Sequence, residues 1–135
     1  SLKPGVQEFL NFLDAAHAPM AIATATARPL VEHALSCHHL SSYFQSITTV
    51  AEVGIGKQDP RVFLAAAEKL GIPAEQCIVF EDSLKAILSA TRAGFQTVAI
   101  YEETTPTEQS ALQENASRYI HDFRDFASLQ DDLFE

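Results

Sequence analysis

Cysteine is scarce in this chain. Cys37 and Cys77 are the two present, too few for a disulfide framework, and Cys77 opens an apolar run that reads as a strand. Both fit as small core or near-surface residues. Basic residues are scarce as well: nine Lys and Arg stand against eighteen Asp and Glu, giving a net charge of −9 and a pI near 4.9. The nine are scattered without forming a stripe, which argues against nucleic acid, whose phosphates need clustered Lys and Arg. No apolar run approaches the roughly 18 residues of a membrane span. The opening Ser1-Leu2-Lys3-Pro4-Gly5 lacks the apolar segment of a signal peptide. A cytoplasmic protein that binds no membrane is the expectation. His17, His33, His38, His39 and His121 show no spacing that gathers them with other ligands, which argues against zinc. Repeats, low-complexity tracts and linkers are absent too.

What is there is an ordinary apolar content, 47% of 135 residues. That length makes one domain, able to bury about two-thirds of its unfolded surface. Apolar residues at helical spacing predict an amphipathic helix over residues 5 to 16, which Pro19 ends. Met20 to Thr24 reads as a strand. Thr26 is the expected N-cap of the next helix, with Pro29 in its first turn and Leu30, Val31, Ala34 and Leu35 inward. Ser46 to Val50 is β-branched and reads as a second strand. Asp59-Pro60 opens a helix that Gly71 closes. Gln96 to Tyr101 is a further strand, Thr107 to Asn115 a short helix, and Ser117 to His121 an edge strand. Asp122 to Leu133 reads as a last helix with Phe123, Phe126 and Leu129 at spacing three. Strand and helix alternate, which predicts an α/β fold: a Rossmann-like parallel sheet with helices on both faces.

The stretch Cys77 to Gly94 organises the rest. Cys77, Ile78, Val79 and Phe80 form an unalternating run, as in a strand buried on both faces. Glu81 and Asp82 follow. Ser83 then caps a helix whose apolar side is Leu84, Ile87, Leu88 and Thr91. Carboxylates at the C-terminal end of a parallel strand sit where open α/β sheets bind ligands, and Mg²⁺ is their natural partner. The alternative is an acidic pair on a solvated loop. Two other places carry fitting groups. Thr24-Ala25-Thr26 joins a strand to a helix start and can cradle an anion. Lys57 lies in a glycine-flanked loop. An anion cradle, a cation and a carboxylate pair are the parts that phosphoryl transfer needs.

These segments, in this order, resemble the core domain of haloacid dehalogenase-like hydrolases, near the β-phosphoglucomutase and phosphoglycolate phosphatase branch. The carriers are LKPGVQEFLNFL, IATAT, GKQDPRVFLAAAEKLGI and IVFEDSLKAILSATRAGF. The resemblance implies that Thr24 and the Ala25 N–H hold the transferring phosphoryl group and that Lys57 neutralises charge on it. It implies that Glu81 and Asp82 hold Mg²⁺, and that Thr26 and Arg28 contact the substrate, a small phosphorylated metabolite. Gln58 stands where proline is usual after the lysine, and Ala86 where glycine is common.

One departure is larger. The family's nucleophile is the first Asp of an Asp-x-Asp motif on its first strand, and this sequence contains no Asp-x-Asp. The resemblance puts that strand between the strands ending at Thr24 and Asp82. Without it, neighbours spaced about 4.8 Å apart per strand would be parted by roughly 9.6 Å, with unpaired edges on both sides. The expectation is therefore a single but incomplete core domain, residues 1–135, lacking cap and nucleophile strand. It would be part of a longer enzyme, or cut from one, and unable alone to turn over phosphate esters. Either an N-terminal segment or another chain would complete the sheet, or the two strands would close up and shift the site. The competing expectation is a non-catalytic module that keeps affinity for Mg²⁺ and phosphate.

Overall fold

The computed structural model describes residues 2–129. In chain order it runs α1 (Val6–Ala15), β1 (Ala21–Thr24), α2 (Arg28–Cys37), β2 (Ser46–Thr49), α3 (Val50–Val53), α4 (Arg61–Leu70), β3 (Ile78–Glu81), α5 (Leu84–Arg92), β4 (Gln96–Ile100), α6 (Pro106–Asn115) and β5 (Arg118–Ile120). Every strand pairing is parallel, as the alternation of strand and helix requires. Among the described residues no helix is long and apolar enough to cross a membrane.

The strands form two sheets, β1-β2 and β3-β4-β5. The division falls between β1 and β3. Both strands line one apolar cavity of about 510 Å³, with Ala21 and Ala23 on one side, Val79 and Phe80 on the other, and Phe9 and Phe63 over them. This corrects the expectation for Cys77 to Phe80. Those residues are half-buried, as all of β1 is, because each strand has the cavity beside it in place of a neighbour. In β4, flanked on both sides, the four residues after Gln96 are buried.

Side chains tie the two halves together. Phe9 of α1 packs on Phe80 at 5.1 Å and on Phe123 at 5.3 Å between ring centroids. Phe63 of α4 meets Phe95 at 6.3 Å, in a cluster that includes Val62, Ala86 and Ala90. Aromatic pairs at these separations contribute beyond the area they bury.

Several local readings shift. The α2 N-cap is Ala27, with no side-chain bond; Thr26 lies one residue before it and donates its N–H to Thr24 Oγ1. Leu30 is 63% exposed. The buried face of α5 is Ala86, Ile87, Ser89 and Ala90, and Thr91 lies outside it. Ser83 caps α5, accepting from Ala86 N. The last helix is a 3-10 helix, Phe123–Leu129; a spacing of three is its natural period. Residues 130–133 of the expected helix lie outside the described residues. His33 Nε2 and Cys37 Sγ meet at 3.4 Å, one turn apart on α2, without a third ligand among the described residues.

The chain enters α1 through Gly5, at φ +83°, where Pro4 O accepts from Phe123 N. A Cβ on Gly5 would lie 2.4 Å from the Arg124 nitrogen. Gly5→Ala should therefore cost about 2–4 kcal/mol, against about 1 kcal/mol for Gly71→Ala, where φ is also positive but space is open. Equal losses in urea unfolding would show that the close approach does not matter.

Nearby, buried Asp122 accepts two bonds from the Arg124 side chain, at 3.0 and 2.7 Å, and one from its N–H. The Arg124 guanidinium holds the carboxyl well below its usual range. A depressed carboxylate stabilises the fold above its unfolded pKa of about 3.9 and loses that effect as pH falls through the folded value. Asp122→Asn should accordingly lower the urea midpoint at pH 7, with the gap to wild type closing below about pH 4. A gap of the same size at pH 3 and pH 7 would contradict this.

Candidate functional site

The site begins where β3 ends. Glu81 is the last strand residue, and its Oε1 accepts from the N–H of Asp82 and of Ser83, at 3.0 and 3.3 Å. These bonds turn the chain into α5 and fix the carboxylate. Its other oxygen, Oε2, accepts from Lys57 Nζ at 2.7 Å, with the two side chains 10% and 23% exposed. A charge-assisted bond so shielded is worth more than a surface pair.

Lys57 reaches this place by a separate route. Thr49 at the end of β2 caps α3, in a reciprocal capping box with Glu52. Gly54, left-handed at φ +81°, ends that helix. The chain then runs through Gly56 to Lys57. The Lys57 carbonyl accepts from Ser89 Oγ at 2.6 Å, the Gln58 carbonyl from Arg92 Nη2 at 3.3 Å, and Nζ lies 5.9 Å from the Phe63 ring centroid.

Asp82 stands beside this ion pair, with its pKa pushed up to about 6. Burial is the largest cause, and the carboxylates of Glu81 and Glu102 add to it. Glu102, two residues past β4, is in turn held low, chiefly by Lys3, whose Nζ donates to Glu102 Oε2 at 3.0 Å and to Tyr101 O at 3.4 Å. Neither Lys3 nor Glu102 was foreseen from sequence. The signal for Glu102 was available: it is an acidic residue just beyond the C-terminal end of a parallel strand, as Glu81 and Asp82 are.

The remaining residues make hydrogen bonds of their own, apart from this pair. Thr24 ends β1, the strand bordering the same cavity as Glu81, and its Oγ1 accepts from Thr26 N at 3.0 Å. No hydrogen bond joins Thr24 to Lys57, Glu81 or Asp82. Ala25 and Thr26 are exposed. Arg28 is engaged at β2, donating to Ile47 O at 2.7 Å and pairing with Glu52. Lys69 meets the same two partners, each at 3.1 Å.

Among the described residues no three Asp, Glu, His or Cys side chains form a ready-made metal centre. Glu81 and Asp82 still suit Mg²⁺, which takes one or two carboxylates and completes its octahedron with water and phosphate oxygens. Burial first, and the carboxylates of Glu81 and Glu102 after it, raise the proton affinity of Asp82; a bound divalent cation would lower it again.

Lys57→Met should cost about 2 kcal/mol of stability, because the shielded Glu81 carboxylate loses its hydrogen-bonded counter-ion. Adding Glu81→Gln should recover part of that loss. Strict additivity of the two substitutions in urea unfolding would show that the pair is not coupled.

The sequence pattern of haloacid dehalogenase-like hydrolases matches residues 1–94. The chain is 33% identical over 95 residues to the phosphorylated carbohydrates phosphatase of Thermotoga maritima, covering 70% of this chain and 44% of that protein. A hydrolase from Pseudomonas syringae superposes with TM-score 0.82 at 29% identity, covering 98% of this chain and 60% of that one. The CbbY protein of Rhodobacter sphaeroides, solved in complex with phosphate, superposes with TM-score 0.81 at 26% identity, covering 93% and 56%. The chain spans about half the length of the curated relatives it matches.

Proposed function

Because this chain belongs to the haloacid dehalogenase-like hydrolases, in their β-phosphoglucomutase and phosphatase branch, we propose that it is the phosphoryl-transfer lobe of a Mg²⁺-dependent cytoplasmic phosphatase or phosphomutase acting on a small phosphorylated metabolite. The observation that carries this is the shielded Lys57–Glu81 pair at 2.7 Å, set beside Asp82.

In this reading Glu81 and Asp82 hold Mg²⁺, directly or through water. When bound, that ion offsets the negative charge of the phosphoryl oxygens. The Thr24 hydroxyl, whose oxygen already accepts from Thr26 N, keeps its proton to donate to a phosphoryl oxygen. The Ala25 N–H donates beside it. Lys57 remains bonded to Glu81 while neutralising charge on the incoming group. Thr26 and Arg28 are the lesser candidates for substrate contact, and Arg28 would first have to leave Ile47 and Glu52.

The nucleophile comes from outside this set. Asp59 accepts from Arg61 N, Asp122 is gripped by Arg124, and Asp125 accepts from His121 N. We place it on a strand lying between β1 and β3, from an N-terminal segment or another chain, its apolar residues filling the cavity and its backbone pairing with both edges. An Asp carboxylate on that strand attacks phosphorus, the bond to the leaving oxygen breaks, and water or a sugar hydroxyl later takes the phosphoryl group from the acyl phosphate.

The test is hydrolysis of p-nitrophenyl phosphate by the chain alone and with a synthetic apolar peptide ending in Asp-x-Asp, each with and without Mg²⁺. The chain alone should give no turnover; peptide and Mg²⁺ together should restore it, and Lys57→Ala should abolish the restored rate. Steady turnover by the purified chain alone would refute the need for the strand. Peptide binding without turnover would favour the non-catalytic module, which the lack of Asp-x-Asp also suits.

A further inference from the structure

We infer that Ser89 is a positioning residue for Lys57: from α5 it fixes the peptide carrying that lysine against the helix that begins at the carboxylates. The inference rests on the phosphoryl-transfer reading and deepens it.

Ser89 has no exposed surface. Its Oγ lies 2.6 Å from the Lys57 carbonyl and 3.2 Å from the Ala86 carbonyl. A hydroxyl has one proton to give, and the shorter contact takes it. Serines inside helices commonly bond a carbonyl one turn back; Ser89 directs its stronger bond across to a loop 32 residues away. Three residues on, and so on the same face of α5, Arg92 Nη2 reaches the next carbonyl, that of Gln58, at 3.3 Å. Two successive carbonyls of one loop are thus docked on one helix.

That helix is capped by Ser83, the residue after Asp82. α5 therefore carries the acidic pair at its start and grips the Lys57 peptide further along. The loop needs such a grip, because Gly54 and Gly56 leave its backbone free to adopt many conformations. A lysine amine swings on a long flexible stem. With the peptide fixed by Ser89 and Nζ held by Glu81, the stem is anchored at both ends, and the cation is already in place when an anion arrives. Such pre-organisation raises affinity by lowering the ordering cost of binding.

The test measures the Kd of inorganic phosphate under saturating Mg²⁺, the Kd of Mg²⁺ alone, and the melting temperature. It compares wild type, Ser89→Ala, Lys57→Ala and the double variant. Ser89→Ala should weaken phosphate by up to about tenfold, the ordering cost of one long side chain that the variant leaves to be met on binding, while Mg²⁺ affinity changes less than about twofold. In the Lys57→Ala background, Ser89→Ala should weaken phosphate no further, since its effect passes through the lysine. A merely structural serine would lower the melting temperature without producing this split. Wild-type phosphate affinity in Ser89→Ala, or losses that simply add in the double variant, would overturn the inference while leaving the functional reading intact. If wild type binds no phosphate, or Lys57→Ala binds it equally well, the functional reading falls and this inference with it. Should Ser89→Ala fail to fold, Ser89→Cys, with its weaker donor, takes its place in the same comparison.

Discussion

Unpaired backbone governs this structure. β1 and β3 each turn one edge toward the same cavity, and the N–H and C=O groups along those edges have no strand to meet. Buried backbone groups in that state are costly. The fold withstands the division because its two halves are joined by side chains. Phe9, Phe80 and Phe123 bridge one side, and Phe63 with Phe95 the other. Those contacts are non-directional and tolerate a gap that hydrogen-bond ladders cannot. The same gap explains why β1 and β3 stay half-buried although their sequences are as apolar as that of a central strand.

The charged groups follow from the same geometry. Parallel strands deliver their C-terminal ends together, so Glu81 and Asp82 meet Glu102 from the adjacent strand. Three carboxylates in one place call for compensation. Lys57 supplies it for Glu81 and Lys3 for Glu102, each as a direct bond of 3.0 Å or less. Asp82 meets no such cation among the described residues, and burial, with its two acidic neighbours, raises its proton affinity.

Much of this was legible in the sequence, and what was not has physical reasons. Glu81, Asp82 and Lys57 were singled out by motif order, which pointed to the family, and the structure brings Lys57 Nζ within 2.7 Å of Glu81. The order of elements was legible because apolar spacing and Gly or Pro punctuation are local properties. Capping details were less so: Thr26 looked like an N-cap, but the helix begins at Arg28 and Ala27 holds that position, a one-residue offset the sequence does not reveal. Ser89 and Lys3 act through contacts 32 and 99 residues distant, and no local pattern encodes such reach. The last helix showed a spacing of three, which is the period of the 3-10 helix found over Phe123–Leu129.

The contacts at β2 set a limit on how copies of this chain can gather. The Ile47 carbonyl receives both Arg28 and Lys69, so its two lone pairs are spent. β2 has β1 on one side only, and on the other this strand offers a newcomer two bulky cations. Glu52 shares both cations, and an incoming strand would have to displace these side chains before it could pair at that margin.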